Sequence, residues 1–106
     1  WQYIAQIDPG LAERVIRLYN LVYCDGGVER PDNHLPPAAR ELIAITALCA
    51  RGLVDLAAQH ISRAVRHGVS PRQILEAISS AVPMTGLTTV QIGAQAMIKA
   101  GITPKP

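Results

Sequence analysis

The chain of 106 residues is long enough for one domain with a hydrophobic core, and its 49% hydrophobic and 17% charged residues exclude an intrinsically disordered protein. The formal net charge of +2 is small, and the basic residues are scattered from Arg14 to Lys105 rather than gathered in one stripe. Nucleic acid is therefore not expected as a partner.

The first predicted helix covers residues 9–24. Asp8 is a typical N-cap residue, Pro9 suits the first helical position, and apolar residues then recur every three or four positions. Glycines, prolines and short polar residues over 25–35 predict a loop. This loop is long enough to suggest a role beyond connection.

The second predicted helix starts near Pro36 and Pro37 and stops at Gly52. Between positions 42 and 50 only Thr46 is polar. A helix that is apolar on nearly every side belongs in the centre of a bundle or between subunits.

The apolar run around this helix does not predict a membrane span, because Arg51 and Asp55 interrupt it before the roughly 18 residues that a span needs. No signal peptide is recognisable. The sequence starts at Trp1 rather than at a methionine, so it does not tell whether the native N-terminus is included. Cys24 and Cys49 match no metal or redox spacing. We therefore expect a cytoplasmic protein.

Three further helices are predicted. The third ends at Gly68, and the fourth begins with a capping box formed by Ser70 and Gln73. Pro83 and Gly86 then break or kink the chain before the fifth helix.

The pattern as a whole predicts an all-α fold, a single-domain bundle of about five helices, since no segment alternates like a strand between hairpin turns. The apolar second and fifth helices predict a homo-oligomer. A helical monomer of this size would bury only a modest share of its surface.

His60 lies where a core residue is expected. Helical spacing places it on one face with five apolar residues: Leu53, Leu56, Ala57, Ile61 and Ala64. A histidine on such a face is more often a hydrogen-bonded core residue than a catalyst, and the residues alone leave both roles open. Asp32, Asn33 and His34 have a metal-like composition but no ligand spacing, so no metal ion is expected.

Two consecutive stretches together resemble a known family. They read LPPAARELIAITALCARG over 35–52 and LVDLAAQHISRAVRHGVSPRQILEAI over 53–78. They contain three helical motifs in order: a proline-led helix with Arg-Glu-Leu, a helix with a histidine that ends in Ala-x-x-x-Gly, and a capped helix with Ile-x-Glu. This order resembles the core of the carboxymuconolactone decarboxylase and alkylhydroperoxidase D-like family. The resemblance covers about residues 35–82, and it implies that family's helical bundle and a trimeric or hexameric assembly.

One feature of the peroxidase-type members is missing. They carry a Cys-x-x-Cys pair whose second cysteine lies four residues before the histidine, and Leu53 and Leu56 occupy those positions here. A thiol peroxidase using Cys24 or Cys49 is therefore the least favoured function. The decarboxylase branch, which also lacks the dithiol but keeps the histidine, resembles this sequence better.

The resemblance to that branch implies a cofactor-free decarboxylase acting on a small molecule, a carboxylated lactone or related carbonyl acid from aromatic-compound catabolism. His60 would be the proton donor, Glu41 would orient it or share its proton, and Arg40 or Arg51 would bind a substrate carboxylate. Glu41 has two structural alternatives, an ion pair with an arginine or a carboxylate in the second turn that the helix N-terminus favours. The alternative for the whole protein is a non-catalytic oligomeric scaffold or ligand-binding member.

Overall fold

The computed structural model describes residues 1–23 and 34–104. In these ranges the chain forms seven helices and no strand, which confirms the all-α prediction. The chain divides into two compact units, Trp1–His34 and Leu35–Pro106. No helix in the described ranges is both long and apolar enough to cross a bilayer.

The first unit contains helices α1 (Gln2–Ile7) and α2 (Pro9–Tyr23). The backbone N–H of Leu11 donates to Asp8 Oδ1 at 2.9 Å, which confirms Asp8 as the N-cap of α2. Helix α1 was not predicted, because its six residues include no buried side chain and so leave no apolar stripe in the sequence. The predicted loop over 25–35, which contains Asp32 and Asn33, falls almost wholly outside the described residues, as does Cys24 at the end of the first predicted helix.

The second unit contains five helices: α3 (Pro37–Ala50), α4 (Val54–Arg66), α5 (Pro71–Ser80), α6 (Val82–Thr85) and α7 (Thr88–Lys99). The four helices predicted after the loop are confirmed as α3, α4, α5 and α7. Helix α6 is a separate single turn. Pro83 has no N–H to give to Ser79 and its ring crowds that carbonyl, so α5 ends before it, and Gly86 ends α6 at a φ of +94°.

Local signals set the ends of the other helices. Gly52 and Gly68 follow α3 and α4 with φ values of +75° and +85°, a conformation that glycine adopts without strain. The capping box at the start of α5 is confirmed. Ser70 N–H donates to Gln73 Oε1 at 2.8 Å, and Gln73 N–H donates to Ser70 Oγ at 3.1 Å.

Helices α3, α4, α5 and α7 pack around one core that contains no aromatic side chain. Its buried members are Ile45, Cys49, Ala57, Ile61, Ala64, Val69, Ile74, Ile78 and Ala96. Ile43 on α3 is 58% exposed, so this helix is not enclosed on every side within the chain, and its other predicted position, between subunits, stays a prediction. Three of the buried members are alanines, whose small side chains allow the helices to approach closely.

The sequence neighbours α3 and α4 are joined by a short turn and pack against each other, which makes them antiparallel. An exposed ion pair between Asp55 and Lys99 joins the first turn of α4 to the last turn of α7. These two helices also pack together, so they are antiparallel too.

Candidate functional site

The site is a buried contact between a carboxylate on α3 and an imidazole on α4. Glu41 Oε2 lies 2.6 Å from His60 Nδ1. Glu41 is 2% exposed and His60 is 6% exposed, so the pair is almost removed from water. The contact is as short as hydrogen bonds in which one partner is ionised, and its partners are 19 positions apart in the chain.

Each member is carried on the buried stripe of its helix. Glu41 shares the stripe of α3 with Ala44, Ile45 and Cys49, at spacings of three or four residues. On α4 the buried stripe consists of Ala57, Ala58, His60, Ile61 and Ala64. The packing of α3 on α4 brings the two polar members of these stripes together.

The predicted apolar face of α4 needs one correction. Leu56 was assigned to the same face as His60, but it is 46% exposed. It lies in the first turn of α4 beside exposed Asp55, whereas the buried stripe begins at Ala57.

The contact is compatible with two positions of one proton. If Glu41 is ionised, His60 Nδ1–H donates to its carboxylate. If Glu41 is protonated, its hydroxyl donates to an unprotonated Nδ1 and the ring carries its proton on Nε2. When Nε2 carries a proton in both arrangements, they differ only by the movement of one proton along the 2.6 Å contact. This is the chemistry of a proton-handling pair.

The two arginines predicted to bind substrate lie at opposite ends of α3. Arg40 is adjacent to Glu41 in the sequence and is partly buried. Arg51 is exposed and caps the C-terminal end of the helix. Ten residues at 1.5 Å per residue place its backbone about 15 Å from that of Glu41.

Cys49 is buried in the core, one turn beyond Ile45 on the stripe that carries Glu41. It is 1% exposed, and burial raises the pKa of its thiol. A protonated and enclosed thiol is a poor nucleophile, which disfavours Cys49 as a peroxidase cysteine. Cys24, the other candidate, lies outside the described residues.

Two open surface depressions flank α4. One is lined by residues 52–56, and the other by residues of α4 with Lys99 and Ala100. Neither is lined by Glu41 or His60. In the ranges that the structure describes, no three His, Cys, Asp or Glu side chains are placed to share a metal ion.

Thr89 is a buried polar residue whose environment the sequence did not reveal. It is 2% exposed, and its Oγ1 lies 2.7 Å from Thr85 Oγ1. Thr85 Oγ1 donates its own proton to the Ala81 carbonyl at 2.9 Å, so the Thr89 hydroxyl is the donor between them. This short chain of hydroxyls ties the single turn of α6 to the start of α7.

Comparison with known families gives one assignment. Residues 9–104 match the model of the carboxymuconolactone decarboxylase family, well beyond the 35–82 segment that carried the resemblance. Neither the curated proteins nor the solved structures gave a match. The family match covers nearly the whole chain and includes both Glu41 and His60. The chain therefore belongs to the carboxymuconolactone decarboxylase family.

Proposed function

We propose that this protein is a small cytoplasmic enzyme that decarboxylates a carboxylated lactone or a related carbonyl acid by acid–base chemistry, without a cofactor. The observation that carries the proposal is the buried 2.6 Å contact between Glu41 Oε2 and His60 Nδ1. A carboxylate–imidazole pair enclosed by apolar side chains holds a proton in a fixed position. General acid–base catalysis requires such a group.

In the proposed reaction the carbon–carbon bond to the substrate carboxylate breaks and CO2 leaves. The electron pair of that bond passes into the conjugated lactone carbonyl as an enolate. A proton is then added to the enolate carbon, so the product differs from the substrate by the replacement of CO2⁻ with H. We assign the proton donor to His60 Nε2, since Nδ1 is engaged by Glu41.

Glu41 has two tasks in this scheme. It fixes the ring orientation through Nδ1, and it stabilises the imidazolium form before the proton is given up. After transfer, a proton from solvent restores the starting state, so no other reactant is consumed.

Between the two arginines, the arrangement favours Arg40 as the group that binds a substrate carboxylate. It is adjacent to Glu41, whereas the Arg51 backbone is about 15 Å away along α3. A guanidinium can hold a carboxylate through two parallel hydrogen bonds. A lysine at position 40 would keep the charge but lose this geometry, so Arg40→Lys should raise KM more than it lowers kcat.

The test is the release of CO2 from carboxymuconolactone by the wild-type protein and by two conservative variants. Glu41→Gln and His60→Gln should each lower kcat/KM by about 100-fold or more, the range for loss of an acid–base group. His67→Gln and Glu76→Gln are matched controls on exposed side chains of the same types and should retain activity. Full activity in His60→Gln would refute the assignment.

A second candidate is a non-catalytic, oligomeric scaffold or ligand-binding member of the family. It is favoured by one observation, the burial of both polar groups away from the two surface depressions flanking α4. On this account the pair specifies packing between α3 and α4. The wild-type protein would then release no CO2, while Glu41→Gln would still lower stability.

The family match also supports the proposed setting, a step in aromatic-compound catabolism by a homo-oligomer such as a trimer or hexamer. A thiol peroxidase is not proposed, because Cys49 is buried and its thiol pKa is raised.

A further inference from the structure

One of the two surface depressions beside α4 lies one helical turn from His60. It is lined by residues 52–56 and is here called the first depression. Its volume of about 340 Å³ is in the range of sites that bind small ligands. Leu56 lines it and precedes His60 by four residues on α4, so the Cβ atoms of the two residues are neighbours about 5–6 Å apart on the helix surface.

The imidazole of His60 lies on the Leu56 side of its own Cα. Long side chains on a helix point back over the preceding turn, and the turn before His60 contains Leu56. Nδ1 of the ring contacts Glu41, and Nε2 is across the ring from that contact. Leu56 is 46% exposed, so about half of its surface is covered by neighbours. Leu56 therefore stands between the imidazole and the first depression.

The second depression lies on the other side of α4. Its lining includes Ala58 and Ser62 of this helix. At about 100° per residue, each of these is about 160° from His60 around the helix axis, whereas Leu56 is about 40° from it. Of the two depressions, the first is therefore the one on the side of His60.

The lining of the first depression suits the apolar part of a small substrate. Three of its side chains are apolar: Leu53, Val54 and Leu56. Its carboxylate, on Asp55, forms an ion pair with Lys99. Side chains of this kind discriminate between substrates by size and shape rather than by charge.

We propose that substrate reaches His60 through the first depression, and that Leu56 sets the size of the substrate that can pass. The inference rests on the proposed function and assigns a specificity-determining residue to that reaction. A shorter side chain at position 56 should widen the passage, and a bulkier one should close it.

The first test measures access to His60 and needs no enzymatic activity. Diethyl pyrocarbonate modifies imidazole nitrogens that it can reach, and peptide mass spectrometry gives the rate at each histidine. The rate at His60 should rise several-fold in Leu56→Ala and fall several-fold in Leu56→Trp, while the rate at exposed His67 stays that of the wild type. Leu75→Ala is the matched control, because Leu75 is a leucine of α5 with a similar exposure of 41%. It should leave the rate at His60 unchanged.

A buried thiol separates an opened passage from general loosening of the fold. Cys49 is 1% exposed, so iodoacetamide reaches it only when the core opens. Its alkylation rate should be the same in Leu56→Ala as in the wild type. An equal acceleration at Cys49 and His60 would overturn the proposal. If Leu56→Ala loses helix by far-UV circular dichroism, the slower modification of His60 in Leu56→Trp carries the same prediction.

The second test compares carboxymuconolactone with a derivative that carries one added methyl group on its ring. The ratio of kcat/KM for the larger substrate to that for the smaller should rise by about 10-fold or more in Leu56→Ala, the range for one methylene in a hydrophobic pocket. The ratio should fall in Leu56→Trp and stay unchanged in Leu75→Ala. An unchanged ratio in both Leu56 variants would overturn the assigned role.

The two tests distinguish this inference from the proposed function. If the wild type releases no CO2, the proposed function fails, and the order of the diethyl pyrocarbonate rates decides whether the first depression leads to His60. If the wild type releases CO2 but both Leu56 variants keep its modification rate and its substrate ratio, the proposed function stands and the inference is wrong.

Discussion

Glu41→Leu should destabilise the protein by about 2–4 kcal/mol, because it removes the carboxylate that contacts His60 Nδ1 at 2.6 Å. The lower value is that of a hydrogen bond to a charged group, and the upper value is that of a broken buried ion pair. Water cannot replace the lost partner easily, since the residues are 2% and 6% exposed. His60→Leu should cost a similar amount.

The double variant Glu41→Leu/His60→Leu should be much less destabilised than the sum of its parts. With both polar groups gone, two leucines meet between the two helices, and neither the Glu41 carboxylate nor the His60 Nδ1 is left buried without the other. The expected coupling free energy between positions 41 and 60 is about 2 kcal/mol or more.

The assay is urea unfolding followed by far-UV circular dichroism, at one pH and one protein concentration because association would shift the apparent stability. Glu76→Leu removes an exposed carboxylate from α5 and should change the free energy of unfolding by no more than about 0.5 kcal/mol. Additive effects of Glu41→Leu and His60→Leu would refute the reasoning, since they would mean that the contact contributes no coupling energy.

Three further predictions concern packing, the buried thiol and a helix start. Gly93→Ala places Cβ 2.8 Å from Ile78 Cδ1 and should cost about 1–3 kcal/mol in urea unfolding, less in an Ile78→Val background that lacks this atom. Burial raises the pKa of Cys49 in the folded state, so the stability that the protonated thiol contributes is fully present below pH 9.0 and is lost as the pH rises through the folded pKa. The difference in unfolding free energy between the wild type and Cys49→Ala should therefore fall above pH 9.0. Ser70→Ala should cost about 1 kcal/mol and lower Tm, through loss of the bond from Gln73 N–H.

Much of the fold could be predicted from local sequence. Asp8 and Ser70 are short polar residues that accept from the first turn of a helix, and both do so in the structure. Gly52 and Gly68 end helices because they adopt positive φ without strain. Such signals depend on only a few neighbouring residues, which is why the four helices predicted after the loop agree with α3, α4, α5 and α7.

The sequence was weaker where neighbours in space decide the outcome. Leu56 is apolar and fits a helical face, yet it is 46% exposed, because the buried stripe of α4 begins only at Ala57. Thr89 is buried on the stripe of α7 that also carries Gly93 and Ala96, which its polar side chain does not indicate. The contact between Glu41 and His60 required the packing of two helices, and periodicity alone could assign each residue only to a buried stripe.

The proposed proton transfer is tested most directly by decarboxylation of carboxymuconolactone in D2O, with the position and configuration of deuterium in the product measured by NMR. A proton held at His60 Nε2 reaches one face of the enolate, so the wild-type product should carry one deuterium in a single configuration at the protonated carbon. His60→Gln should give either no product or both configurations equally. A wild-type product with both configurations equal, or a single configuration in His60→Gln, would contradict the role of the Glu41–His60 pair.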